Sequence, residues 1–138
     1  MYRIAKEFGF SASHQLPHLS PGHKCARLHG HNYTVTVFLS SPVLDERGFI
    51  VDFAELAPIK AFLDSCWDHQ HLNDCVPLPP TSEHLAKFLF DWCRDNLPLP
   101  DMRALEVVRV AESDSTWAEY RPDPPEAPPQ CGATGGAA

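Results

Sequence analysis

The segment HNYTVTVFLS, residues 31–40, sets β-branched and aromatic residues in alternation and is the strongest strand in the chain. The residues just before it raise a chemical question. His29, Gly30 and His31 place two imidazoles at i and i+2, the spacing that puts strand side chains on one face. Upstream, residues 2–14 alternate well enough to form another strand, with Phe8, Phe10, Ala12 and His14 sharing a face. An antiparallel pairing of the two strands would deliver His14 opposite His29 and His31.

Further along, Asp45-Glu46-Arg47-Gly48 reads as a turn and residues 49–51 as a short strand. Asp52 with Glu55 three residues on has the form of a helix start, and Leu56, Ile59, Leu63 and Trp67 follow at helical spacing. Pro58 conflicts with an unbroken helix from Asp52, so an irregularity is expected there. Thr81 or Ser82 caps a second helix with an apolar stripe of Leu85, Phe88, Leu89 and Trp92, ending before Pro98. Residues 104–112 and 116–120 read as two more strands joined by a turn at Ser113-Asp114-Ser115. Paired strands with both helices between them predict an α+β fold: an antiparallel sheet with two helices on one face. A four-stranded sheet leaves two open edges, and association of copies would cover them.

Residues 1–120 suffice for one domain with a core. Residues 121–138, RPDPPEAPPQCGATGGAA, hold five prolines and three glycines and read as a disordered tail. Net charge is −7, which argues against nonspecific nucleic-acid binding. The charge is uneven: residues 1–40 carry four basic groups against one acidic, a balance of +3, and the other 98 residues carry 7 against 17, a balance of −10. The one locally basic region therefore holds most of the histidines, and a small anion would be drawn there. No apolar run approaches the ~18 residues of a membrane span, and MYRIAKEFGF is too short and polar for a secretory leader. The five cysteines are odd in number and scattered, which fits reduced thiols in a cytoplasmic protein.

Three neutral imidazoles with an open fourth position would make a catalytic type of zinc site. A bare His-x-His also arises by chance in a chain with eight histidines, and no Cys-x-x-Cys pair supports a structural zinc. Cys25 lies between the two ligand segments, flanked by Lys24 and Arg27; nearby cations and a metal would favour its thiolate, and an inert thiol is the other reading. Cys66 and Cys93, on apolar helical stretches, read as buried and inert. In Asp68-His69 a carboxylate could fix an imidazole's tautomer, or the pair is a polar helix end. Glu112, near a strand end, could accept two hydrogen bonds from a guanidine-like heterocycle edge.

Several segments taken together resemble one family. FSASHQLPHLSPGHKCARLHGHNY, GFIVDFAEL, DHQHLND, PTSEHLAKFLFDW and the strand bearing Glu112 occur in the order and spacing of the 6-pyruvoyl-tetrahydropterin synthase superfamily, over residues 2–120. The Cys-x-x-x-His-Gly-His spacing is similar to that of its 6-carboxytetrahydropterin-forming group, where the animal pyruvoyl enzymes have a longer insertion. A third group has glutamate in place of the cysteine, and Cys25 argues against it.

The resemblance implies a tunnelling fold, ββααββ subunits that close a barrel as a homo-oligomer, a hexamer of two trimers or a tetramer. It implies the pterin substrate 7,8-dihydroneopterin triphosphate, converted to 6-carboxytetrahydropterin in queuosine biosynthesis. It also implies a Zn2+ held by His14, His29 and His31, Cys25 as base, and Asp68 with His69 as a relay from a neighbouring subunit. Glu112 would anchor the pterin, helped by Thr81 and Ser82, and Lys24, Arg27 and His23 are candidates for the triphosphate on charge and position. The rival readings are pyruvoyl-type synthesis on the same substrate and a zinc-binding protein without catalysis.

Overall fold

The computed structural model describes residues 1–101 and 104–124. Four strands, β1 (Tyr2–His14), β2 (His29–Ser41), β3 (Leu105–Ser113) and β4 (Thr116–Tyr120), form one antiparallel sheet in the order β1-β2-β3-β4. Two helices, α1 (Ala57–Phe62) and α2 (Ser82–Asn96), lie between β2 and β3 in the chain. The expected α+β architecture is the observed one.

Strand periodicity selects the buried face. Phe8, Phe10 and Ala12 of β1 and Tyr33, Val35, Val37 and Leu39 of β2 are buried, while their sequence neighbours face outward or lie between. The helices cover this face with Leu56, Ile59, Leu63, Leu85 and Leu89, and α2 packs over β3 and β4. On α2 the stripe is centred on Leu85, Ala86, Leu89, Phe90 and Cys93, and Phe88 and Trp92 sit at its half-buried margin. Among the described residues the opposite face of the sheet carries no helix. Arg109 there stacks over Phe38 and Trp117 and pairs with Glu119, so charge and aromatic surface cover it instead.

The irregularity expected at Pro58 is present. Phe53–Leu56 forms a 3-10 turn capped by Asp52, whose carboxylate accepts from the Ala54 amide, and Pro58 falls in the first turn of α1, where its missing donor costs nothing. The short strand expected at residues 49–51 does not form. The Asp45 carboxylate accepts from the Arg47 and Phe49 amides, and the Asp45 amide donates to the Phe49 carbonyl. The segment closes on itself as a loop, with Gly48 at φ 84°, and pairs with no strand.

After α1 the chain widens into a π-turn, Leu63–Trp67, in which the Asp68 amide donates to the Leu63 carbonyl at 2.8 Å. Leu63 and Trp67 point inward and Cys66 is exposed, which corrects the reading of Cys66 as a buried thiol; Cys93 is buried, as expected. The tail reading falls mostly outside the described residues, of which 121–124 form no helix or strand.

Leu89 is fully buried between α2 and the sheet. Leu89→Ala is expected to lower unfolding free energy by about 2–5 kcal/mol, read from the midpoint shift in chemical denaturation.

Candidate metal centre and active site

The β1–β2 register pairs His14 with His29 and Ala12 with His31. All three histidines therefore point to the core-facing side at one end of the sheet, and one ring nitrogen of each lies within 4.8 Å of the others. The Nε2 atoms of His14 and His29 are 2.9 Å apart. His14 Nδ1–H donates to the Pro80 carbonyl at 2.8 Å, and His29 Nδ1–H donates to the Arg27 carbonyl at 2.7 Å. A carbonyl can only accept, so both protons sit on Nδ1 and both Nε2 lone pairs face the centre. His31 Nε2 is buried and has no hydrogen-bond partner among the described residues.

Burial pushes the His14 imidazole below its ordinary value of 6.5, against the opposing Pro80 hydrogen bond, and the neighbouring histidines add to the push. Burial likewise pushes His31 down, against the Glu112 charge. Neutral imidazoles with converging lone pairs are the donor set a divalent cation of the zinc class takes. The residues fit such an ion. Gly30 makes the approach possible: a Cβ there would lie 3.3 Å from the Ala12 carbonyl oxygen, tighter than most such contacts.

Two clefts meet at this cluster. One, of about 240 Å³, is lined by His14, Cys25, Thr81, Ser82 and Glu112 among others. The connection between β1 and β2 folds Cys25 in, the Leu16 amide donating to the Cys25 carbonyl at 2.9 Å and the Cys25 amide to His23 Nδ1 at 3.1 Å. Thr81 caps α2, its hydroxyl accepting from the His84 amide, and Ser82 opens the helix beside it. Glu112 reaches the cluster too, with carboxylate oxygens 3.9 Å from His14 Nε2 and 3.8 Å from His31 Nε2.

The second cleft, of about 500 Å³, is lined by His31, His69, His71, Ser11 and Ser13 among others. Asp68 and His69 are hydrogen-bonded at 2.8 Å, and the His69 side chain is 82% exposed. The Ser11 amide donates to the other Asp68 oxygen and, with His69, holds the carboxyl below its ordinary range. His69 has φ 58°, the one left-handed non-glycine residue among those described, and its amide bonds the Ser11 carbonyl. Within one chain, Cys25 and His69, the imidazole bonded to Asp68, thus line different clefts, one bordered by His14 and the other by His31. His23, Lys24 and Arg27 are exposed on the loop that carries Cys25 and line neither cleft.

Sequence reasoning missed the residues that hold the Asp68 loop. Asn73 bridges the Gln15 amide and carbonyl, and His71 Nδ1 meets the Ser13 hydroxyl at 3.0 Å. It also missed the Pro80 and Arg27 carbonyls that orient the ligands, because backbone acceptors leave no side-chain signature.

A family model described as 6-pyruvoyl tetrahydropterin synthase matches residues 3–123. The chain belongs to this family. It is an enzyme of the lyase type. It is 35% identical over 130 residues to a protein of Synechocystis named 6-carboxy-5,6,7,8-tetrahydropterin synthase, covering 90% of this chain and 98% of that one. A Bacillus subtilis protein of the same name is 33% identical, with 88% and 86% covered. The Caenorhabditis elegans 6-pyruvoyl tetrahydropterin synthase structure superposes with a TM-score of 0.75 at 25% identity, over 88% of this chain and 96% of that one.

Replacing any one of His14, His29 and His31 with Ala in this family member is expected to remove most bound metal, measured by elemental analysis on protein whose circular dichroism is unchanged. The metal-free protein is expected to lose stability on acidification. The unfolded chain takes up protons at about 6.5 and the folded His14 and His31 only lower, so stability is full above 6.5 and falls as pH drops from 6.5 through the folded values. Denaturation midpoints at pH 7.5, 6.5 and 5.5 check this, and a His14→Gln variant should flatten the dependence.

Proposed function

We propose that the chain is a zinc-dependent 6-carboxy-5,6,7,8-tetrahydropterin synthase. It converts 7,8-dihydroneopterin triphosphate and water to 6-carboxy-5,6,7,8-tetrahydropterin, acetaldehyde and triphosphate, in cytoplasmic queuosine biosynthesis. The observation that carries the reading is the convergence of Cys25, Glu112, Thr81 and Ser82 with the three-histidine cluster at one cleft. The carboxy product is favoured over the pyruvoyl one by the Cys25-to-His29 spacing and by relatives that bear the carboxy name at 35% and 33% identity.

In this reading Glu112 accepts two hydrogen bonds from the amino-pyrimidine edge of the pterin, a charge-assisted bidentate pair, and Thr81 and Ser82 add hydroxyls at the start of α2. Zinc held by His14, His29 and His31 would polarise the side-chain hydroxyls and acidify the adjacent C–H bonds. Cys25 takes a proton from that side chain as general base. Asp68 orients His69 for proton transfer at a site on a neighbouring subunit, a reading supported by His69 lining a different cleft from Cys25 on its own chain. The exposed edge of β4 and the uncovered half of β1 support a homo-oligomer, a hexamer of two trimers or a tetramer. Lys24, Arg27 and His23, beside Cys25 at the surface, neutralise the triphosphate as it projects from the cleft.

Zinc-loaded protein given 7,8-dihydroneopterin triphosphate under reducing, oxygen-free conditions is expected to yield 6-carboxytetrahydropterin by mass spectrometry. A 6-pyruvoyl product would assign the rival synthase instead, and no product from folded, metal-bound protein would leave the zinc-binding reading. Cys25→Ala is expected to lower kcat by about 10²–10⁴-fold with zinc content unchanged.

A further inference from the structure

Among the described residues, two side-chain atoms are buried without a hydrogen-bond partner: His31 Nε2 and the Tyr33 hydroxyl. The metal-ligand role accounts for the first and leaves the second unexplained. Tyr33 is 1% exposed and its ring is clamped on several sides. It stacks on Phe10 at 4.8 Å, and it meets His31 at 5.4 Å and His14 at 5.9 Å in edge contacts. The hydroxyl cannot swing to solvent. Left unpaired, a buried hydroxyl destabilises the fold, and phenylalanine would fill the same space without that cost.

The sheet register names its partner. Thr34 pairs with Ala111, so Tyr33 and Glu112 are the next residues along facing strands, and both border the rings of His14 and His31. A phenol keeps its proton at neutral pH and is available as a donor. Glu112 rests with its oxygens 3.8 and 3.9 Å from two imidazole nitrogens, distances too long for hydrogen bonds. A carboxylate that is to receive a heterocycle edge needs one oxygen fixed, and the neighbouring donor on its own face of the sheet is this phenol.

We propose that Tyr33 is a positioning residue for substrate recognition: its hydroxyl donates a hydrogen bond to the Glu112 carboxylate when a pterin occupies the cleft, holding that carboxylate away from the imidazoles and toward the ligand. This rests on the pterin reading above. The ring packs the core, and the hydroxyl sets where Glu112 points.

The test uses the full-length, zinc-loaded protein and neopterin, a stable fluorescent pterin that binds without turnover. Tyr33→Phe is expected to raise the Kd for neopterin and the KM for the triphosphate substrate about tenfold, with kcat changed less than about threefold. Zinc content should be unchanged and Tm should not fall. In a Glu112→Gln background the same change should add less than about twofold, because the two residues act as a unit. Unchanged neopterin affinity in Tyr33→Phe, or penalties that simply multiply in the double variant, would overturn the proposal. If the wild type makes a different product yet Tyr33→Phe still weakens neopterin, the reaction assignment fails and the Tyr33–Glu112 coupling stands. If the wild type binds no neopterin, both fail.

Discussion

The pairing of β1 with β2 in a single register is the constraint on which the site depends. His14 sits opposite His29 and Ala12 opposite His31, so three imidazoles converge where Phe8, Phe10, Tyr33 and Val35 already define the buried side. Because strand side chains alternate with period two, a slip of one residue would turn the histidines and the core together to the other face. Hydrophobic burial along β1 and β2 therefore positions the three imidazoles. The core-forming residues hold the register, and the histidines ride on it.

A second layer of control comes from backbone carbonyls. Pro80, just before α2, and Arg27, at the end of the loop that carries Cys25, each accept an Nδ1 proton. The tautomers at the centre are thus set by the two segments that also line the cleft. A change in either loop would alter the ligands' basicity as well as the cleft's shape, which ties cation binding to the geometry of Cys25, Thr81 and Ser82.

The Asp68 loop is held by different means. The π-turn anchored by Trp67, which packs on Phe10, Phe62 and Phe88, throws the chain out against the free edge of β1. There the Asp68 carboxylate, the His69 amide, the Gln70 carbonyl and Asn73 satisfy the edge groups of Ser11, Ser13 and Gln15. Half of that edge is covered by the loop bearing the acid–imidazole pair. The other half, toward Tyr2, pairs with no further strand among the described residues, so the fold limits where a neighbouring copy could add to the sheet.

Alternation along residues 31–40 and 2–14, a threonine cap before Leu85, and a proline misplaced for a long helix were enough to determine the strands, both helices and the sheet's one-sided cover. Those signals are local, and local propensity and period settle them. The histidine spacing determined that His29 and His31 share a face, because period two is a property of any strand. The loop at residues 49–51 misled because its apolar residues mimic a strand while a single Asp45 carboxylate closes it into a turn. Cys66 misled because a π-turn shifts helical phase by one residue, invisible to a 3.6-residue pattern. Only the tertiary structure decided that His14 meets the pair, that Glu112 reaches both the cluster and the cleft, and that His69 lines a different cleft from Cys25. Those relations join residues tens of positions apart, and no periodicity encodes a contact made by packing.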